Sequence, residues 1–349
     1  MFDRVLITGG AGYVGAVLVP KLLRAGYRVR VLDWYVFGRD VLDLVRDHPN
    51  LEQIKGDIRD EGLVQRLCRG CGALVHLACI SNDPSSQLNP ALTRAVNLDA
   101  FGPLVRQARA AGVRRFLFAS SSSVYGVSKA PDVKETHPLA PLTDYSRYKA
   151  MCEPVLLSEQ TDDFVPIVVR PATVCGYSPR MRLDLTVNIL TSDAVHRGRI
   201  TVFGGSQLRP NIHVQDLTDL YAQLLAEPDW RVAGRIYNAG YQNLPIARIA
   251  KIVQRVVSRH RRQKESRVSA ADPVRIETTP SDDLRSYHIS SEKVRRELGF
   301  VPRWTIEDAV RDLVRAFGEG LVPEPQHVRY SNVRTMQAVG PRLLRGVAA

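Results

Sequence analysis

The stretch Val5-Leu6-Ile7-Thr8-Gly9-Gly10-Ala11-Gly12-Tyr13-Val14-Gly15 decides the fold. A short, wholly apolar run enters glycines and passes directly into an amphipathic pattern at Val14, Val17, Leu18, Leu22 and Leu23. This reads as a buried strand, a tight turn and a helix. Gly9, Gly12 and Gly15 have G-x-x-G-x-x-G spacing. Glycine permits the turn, lets backbone approach a pyrophosphate and lets the helix lie close on its strand. The helix N-terminus offers free N–H groups and the positive end of its dipole to phosphate. Together with an acid at Asp33, 18 residues after Gly15, the pattern predicts dinucleotide binding, with Tyr13 and Val14 also at the ligand.

Outward from this unit, strand and helix signals alternate. Strands are expected at Tyr27–Leu32, Leu51–Lys55, Ala73–Leu77, Phe116–Ala119 and Val165–Val169. A long helix is expected from Pro90 to Ala111 and another from near Thr143. Successive right-handed crossovers of this kind give an α/β fold with a doubly wound parallel Rossmann sheet covered on both faces. After Arg170 prolines and glycines become frequent, which predicts a smaller, mixed C-terminal substrate lobe over residues 171–317 beside a dinucleotide domain over 1–170. Helices are expected at Leu183–Ala194, Val214–Leu225, Ile246–Val257, Ser290–Glu297 and Thr305–Phe317, with Ile236–Asn238 returning as a strand toward the first domain. Residues 318–349 read as an extended tail.

A chain of 349 residues, 44% hydrophobic and 24% charged, has the composition of a globular protein. No apolar run approaches the ~18 residues of a membrane span, and no basic-then-apolar leader is seen. The five cysteines are odd in number and lie mostly in apolar segments, which suggests buried thiols in a reducing cytoplasm. Cys68-x-x-Cys71 has neither a second pair nor a histidine cluster, so no metal is expected. The net charge of +12 raises nucleic-acid binding as an alternative. Its densest run, Arg255 to Arg267, has seven basic residues counting His260 but no interleaved aromatics, as a solvated face would.

Asp33 at the end of the second strand suits both adenosine ribose hydroxyls and repels a 2′-phosphate, so NAD is expected. Arg28, Arg30 and Arg39 keep NADP open. Asp57 and Ile58, just past the third strand, are placed to face the adenine, although Asp57 would serve equally as a turn or capping residue. Tyr145 and Lys149 lie four residues apart on one helix face. A free phenol titrates near 10, and an adjacent ammonium would favour the phenolate and make it a usable base. Tyr148 cannot share that face. The run Ser120-Ser121-Ser122-Ser123-Val124-Tyr125-Gly126 follows the fifth strand, at the carboxyl edge where such sheets bind ligands.

The glycine run with Asp33, Asp57, His76-Leu77-Ala78, Asn97, Ser-Ser-x-x-Val-Tyr-Gly and Tyr145-x-x-x-Lys149 resembles the extended short-chain dehydrogenase/reductases. It is most similar to their nucleotide-sugar epimerases, dehydratases and dehydrogenases, over about residues 3 to 317. The resemblance implies a catalytic triad of Ser121, Tyr145 and Lys149, with Asn97 supporting. It implies cofactor contacts at Leu77, Ala78 and Ser120, and a homodimer formed through the helices at Pro90–Ala111 and Tyr145. It also implies a nucleoside-diphosphate sugar substrate met by Ser122, Ser123, Thr173, Asn188 and Arg209, with Arg285 as a second phosphate contact. The family's 4,6-dehydratases carry Asp and Glu where this chain has Ser122 and Ser123, so dehydration is disfavoured. The run Arg170 to Asn188 is similar to a subgroup that includes GDP-heptose 4-dehydrogenases. Its Arg180 and Arg182 suit a phosphate, a nucleobase or a solvated loop. The expected activity is NAD-dependent 4-epimerisation through a 4-keto sugar. A dehydrogenase or ketoreductase that releases product is the alternative, and a non-catalytic, RNA-contacting dinucleotide protein is the rival of another class.

Overall fold

The structure is a computed structural model that describes residues 2–128, 130–264, 273–281 and 288–343. Among the described residues twelve strands occur in chain order: β1 Arg4–Thr8, β2 Arg28–Asp33, β3 Leu51–Lys55, β4 Ala73–His76, β5 Arg115–Ala119, β6 Val165–Pro171, β7 Thr173–Cys175, β8 Arg199–Phe203, β9 Leu208–His213, β10 Arg235–Ala239, β11 Gln242–Pro245 and β12 Arg275–Thr279. Seven form a wholly parallel sheet in the order β10-β6-β5-β4-β1-β2-β3. The order reverses at β1, whose Thr8 pairs with Leu32 on one side and His76 on the other. That reversal opens a crevice at the carboxyl ends of the strands, where open α/β sheets bind ligands.

The apolar runs of the central strands are explained by burial on both faces. Val5 and Ile7 of β1, Leu117 of β5 and Ile167 and Val169 of β6 enter one core. Their neighbours Leu6, Phe116, Phe118 and Val168 enter the other, as the two-residue strand period requires. Helix Gly15–Arg24 covers the first face with helix Val214–Ala226, and Lys21 pairs with Asp219 across them at 2.5 Å. Helices Glu61–Cys68 and Phe101–Ala110 cover the second.

A second lobe holds the sheets β11-β9-β7 and β12-β8. Helices Thr186–Arg197, Ile246–Lys264 and Ile306–Gly318 pack there around Val187, Leu190, Ile249, Val253 and Val310. The basic run is partly structural. Arg255 pairs with Glu307, and Arg261 donates to the Ala194 and Val195 carbonyls at 2.9 Å; residues 265–267 lie outside the described residues.

Three elements differ from expectation. The long helix is broken into Pro90–Arg94, a π-helical turn Ala95–Asp99 and Phe101–Ala110. Pro103 has no N–H for the Asp99 carbonyl, and the wider turn before it absorbs the mismatch. The helix expected from Leu183 begins only at Thr186, because Leu183 donates its N–H to the Tyr330 carbonyl at 2.8 Å and Asp184 is engaged with Arg182 and the Asn332 N–H. The chain after Gly318 is not simply extended. It makes a 3₁₀ turn, Val328–Tyr330, and a helix, Asn332–Leu343. Tyr330 and Met336 are buried, and Arg329 pairs with Asp40 at 2.7 Å.

Candidate active site

The crevice contains a cavity of about 420 Å³ that runs from Asp33, past the glycine loop, to Tyr145 and Lys149. Two glycines are dictated by backbone. Gly9 has φ +76°, and a Cβ there would lie 2.6 Å from the Ala78 nitrogen. A Cβ on Gly15 would lie 2.4 Å from the Gly10 carbonyl oxygen, so the helix could not start so close to the turn. At Gly12 a Cβ would meet only the Gly9 carbonyl oxygen, at 3.1 Å, on a residue that lines the cavity. The Asp33 carboxylate accepts from the Ala11 N–H at 3.0 Å and the Tyr35 N–H at 2.8 Å. Each oxygen retains acceptor capacity for a ribose hydroxyl. Burial raises this carboxyl above its usual range, against the pull of those two N–H groups and Arg180. Tyr13, Val14, Ile58, Leu77 and Ala78 complete this part of the wall. The Tyr13 hydroxyl donates to the Gly176 carbonyl at 2.5 Å, so its ring is held as wall.

At the other end, helix Asp144–Leu157 starts at a Thr143/Ser146 capping box. This sets Tyr145 in its first turn and Lys149 one turn later, facing the Ser120–Ser123 run beyond β5. Ser121 hydrogen-bonds the Tyr145 phenol and accepts from the Ser123 hydroxyl at 2.8 Å. Ser120 donates to Glu153 at 2.5 Å, and Ser122 and Ser123 line the cavity with Thr173. Lys149 lines the same end of the cavity. Its ammonium donates to the Ala119 carbonyl at 2.6 Å and lies 6.0 Å from the Tyr145 ring centre. Burial raises the phenol above its usual range, as does Cys79, while the Ser121 hydrogen bond and the Arg182 charge pull it down.

Several of the expected contact residues hold partners within the chain. Asp57 forms an ion pair with Arg59 at 2.6 Å, and Gly56 and Ile58 on either side of it line the cavity. Asn97, in the π-helical turn, uses its amide on Ile80, accepting from the N–H at 2.8 Å and donating to the carbonyl at 3.0 Å. It positions the segment after β4 without lining the cavity. Asn188 is fully buried. Its amide donates to the Tyr13 hydroxyl at 3.1 Å and the Arg182 carbonyl at 2.9 Å, and its oxygen accepts from Gly176 N–H at 3.1 Å. It therefore joins the lobes behind the wall. Arg209 does line the cavity, and Arg285 lies outside the described residues.

The site also recruits residues that sequence reading passed over. Cys79, Asn82, Asp83 and Asn332 line it. Asn82 has φ +74°, an uncommon conformation for a non-glycine residue, and caps the short helix that begins at Asp83. Asn332 had no local signal, since its place at the wall depends on the last helix folding back. Among the described residues no group of three or more His, Cys, Asp and Glu side chains is arranged to hold a metal ion, and no helix is long and apolar enough to cross a membrane.

The residues fit a dinucleotide: a cradle of glycines, a carboxylate with free acceptor capacity, and buried guanidinium N–H groups without protein partners on Arg180 and Arg182. The comparisons agree. The profile of the NAD dependent epimerase/dehydratase family matches residues 5–240. A UDP-glucose 4-epimerase of Lactobacillus helveticus is 30% identical over 273 residues, covering 72% of this chain and 81% of the relative. A dTDP-glucose 4,6-dehydratase of Streptomyces niveus is 28% identical over 325 residues, 89% of this chain and 91% of the relative. The crystal structure of DesIV, a dTDP-glucose 4,6-dehydratase from Streptomyces venezuelae with NAD and TYD bound, superposes with a TM-score of 0.80 at 25% identity, covering 93% of this chain and 100% of that one. With the glycine cradle, Asp33 and the Tyr145/Lys149 helix gathered on one Rossmann crevice, the chain belongs to the NAD dependent epimerase/dehydratase family, as an NAD-dependent enzyme of the extended short-chain dehydrogenase/reductase type.

Proposed function

We propose that this enzyme is a 4-epimerase of a nucleoside-diphosphate sugar, working through a 4-keto sugar. The observation that carries the choice within the family is the chemistry of the cavity wall after Ser121. Positions 122 and 123 are serines, and the carboxylates among the described lining residues are Asp33 and Asp83. Asp33 is tied to the glycine loop, and Asp83 accepts from the Thr143 hydroxyl at 2.5 Å beside the helix cap. Loss of water from a sugar needs a base at carbon 5 and an acid for the departing hydroxyl. Serine hydroxyls supply neither at neutral pH.

In this reading Tyr145 accepts the proton of the sugar 4-hydroxyl, and the Ser121 hydroxyl hydrogen-bonds the reacting oxygen. Asp33 and the glycine loop hold the adenosine end of NAD, with Lys149 at the nicotinamide ribose. NAD supplies the acceptor and donor of hydride at carbon 4. Arg209 and Thr173 face the sugar nucleotide from the second lobe. The partly exposed Met151 and Val155 on helix Asp144–Leu157 support a homodimer through this helix and Phe101–Ala110; sedimentation as a monomer at micromolar concentration would refute it. The deciding assay incubates the NAD-loaded enzyme with UDP-, dTDP-, GDP- and CDP-sugars and reads products by NMR and mass spectrometry. A C4 epimer of unchanged mass is expected. A product lighter by one water would reject the proposal in favour of dehydration, and a released ketone with matching absorbance gain at 340 nm in favour of a dehydrogenase.

A further inference from the structure

The segment Ser178–Leu185 crosses the crevice from the second lobe and brings two arginines to the cavity wall. Ser178 anchors it by donating to the Tyr13 carbonyl at 2.7 Å. Arg180 is only 3% exposed. Its guanidinium stacks on Phe37 at 3.5 Å from the ring centre and donates through Nη2 to the Asn332 side-chain oxygen. Its Nε and Nη1 are buried without a hydrogen-bond partner, and so is Nη2 of Arg182, whose Nε is held by Asp184 at 2.9 Å. Buried donors without acceptors are costly, and an arginine keeps its charge. Asp184 pairs with Arg182, and Asp33 acts on Arg180 only through space, so no carboxylate meets the free N–H groups of either guanidinium.

The position of each arginine selects the anion. Arg180 acts electrostatically on Asp33 and Tyr13, whereas Arg182 acts on Tyr13 and Tyr145. They therefore lie between the adenosine end of the cavity and its catalytic end, where a bound dinucleotide has its diphosphate. Burial and the neighbouring Arg182 push the Arg180 guanidinium down to about 9, a penalty that an anionic partner would remove.

We propose that Arg180 and Arg182 form a side-chain diphosphate site that closes over the NAD diphosphate opposite the glycine loop, with Asn332 of the last helix as a positioning residue. Asn332 is itself locked in place. Its side chain donates to the Ser81 hydroxyl at 2.6 Å and its N–H to Asp184 at 2.9 Å. The site holds whether the keto sugar is turned over or released, so it goes beyond the epimerase reading and survives that reading's failure.

The test is calorimetric binding of NAD, ADP, adenosine, NADP and UDP to the full chain and to R180Q, R180K, R182Q and N332A. R180Q is expected to weaken NAD and ADP in parallel by about tenfold or more, with adenosine unchanged. R180K, which keeps the charge but not the planar fork, should fall between, and N332A should lose less than R180Q. Adenosine binding and cooperative thermal unfolding report that the fold is intact. If R180Q does not fold, R182Q carries the same comparison. The proposal is overturned if NAD and ADP affinities stay within about twofold of the parent. It is equally overturned if UDP alone is weakened, which gives the arginines to the sugar nucleotide, or if NADP is weakened and NAD spared, which gives Arg180 to a 2′-phosphate.

Discussion

Burial holds the Tyr145 phenol above its ordinary range, and Ser121 and Arg182 are the groups that bring it back. The phenolate fraction grows as pH rises, and the raised folded-state value places that growth on the alkaline side, so kcat/KM should ascend there. R182Q removes one of the lowering influences, so its ascending limb should move to higher pH. Each unit of displacement costs about tenfold in rate at a fixed pH below the limb. A pH–rate profile at saturating NAD checks this, and a limb that stays in place would show that Arg182 does not act on the base. Y145F should lose about 10²- to 10⁴-fold in turnover while still binding NAD. The tyrosine–lysine pair was legible from spacing alone. The division of labour around it was not, because the Lys149 hydrogen bond depends on where the Ala119 carbonyl points at the end of β5.

At the level of elements, the strand–turn–helix unit separates what the backbone needs from what the ligand needs. G15A sets a methyl against the Gly10 backbone and should cost about 1–3 kcal/mol, read as a lower urea midpoint. G12A meets only one carbonyl, so its stability should change by less than about 1 kcal/mol while NAD affinity falls. Equal loss of stability in both would mean that Gly12 is also a packing residue. The helix Asn332–Leu343 was missed for an identifiable reason. Its buried positions Asn332, Thr335 and Met336 have helical spacing, but two are polar and Pro323 and Pro325 precede the segment. A search for an apolar face passes over a helix whose inner side is built for hydrogen bonds at a cavity wall.

Across the whole molecule, a buried polar network ties the serine loop to the last two strands of the parallel sheet, β6 and β10. Arg170 of β6 and Glu153 of helix Asp144–Leu157 pair at 2.6 Å, each with 3% side-chain exposure. Glu153 also receives the Ser120 hydroxyl. Arg170 donates to the Tyr125 hydroxyl at 2.7 Å, which donates to Asn238 of β10 at 2.7 Å; Asn238 in turn donates to the Val133 and Ser290 carbonyls. E153Q would leave a buried guanidinium without its counter-charge. A loss of about 3–5 kcal/mol in urea unfolding is expected, far more than exposed pairs such as Arg295–Glu292 contribute. A loss below about 1 kcal/mol would mean that water reaches the pair.

The sequence by itself determined the parallel sheet, the glycine turn that follows its first strand, and the helix that carries Tyr145 and Lys149. Those features rest on local physics: apolar strand runs, glycine where backbone meets backbone, and a four-residue helical spacing. Tertiary structure decided which partners the polar residues take and which of them line the cavity. Asp57, Asn97 and Asn188 were spent on Arg59, Ile80 and Tyr13, whereas Arg180, Arg182 and Asn332 came to the cavity wall. A hydrogen-bonding side chain carries no periodic signal of its target. Its partner is chosen only when segments far apart in the chain are packed together.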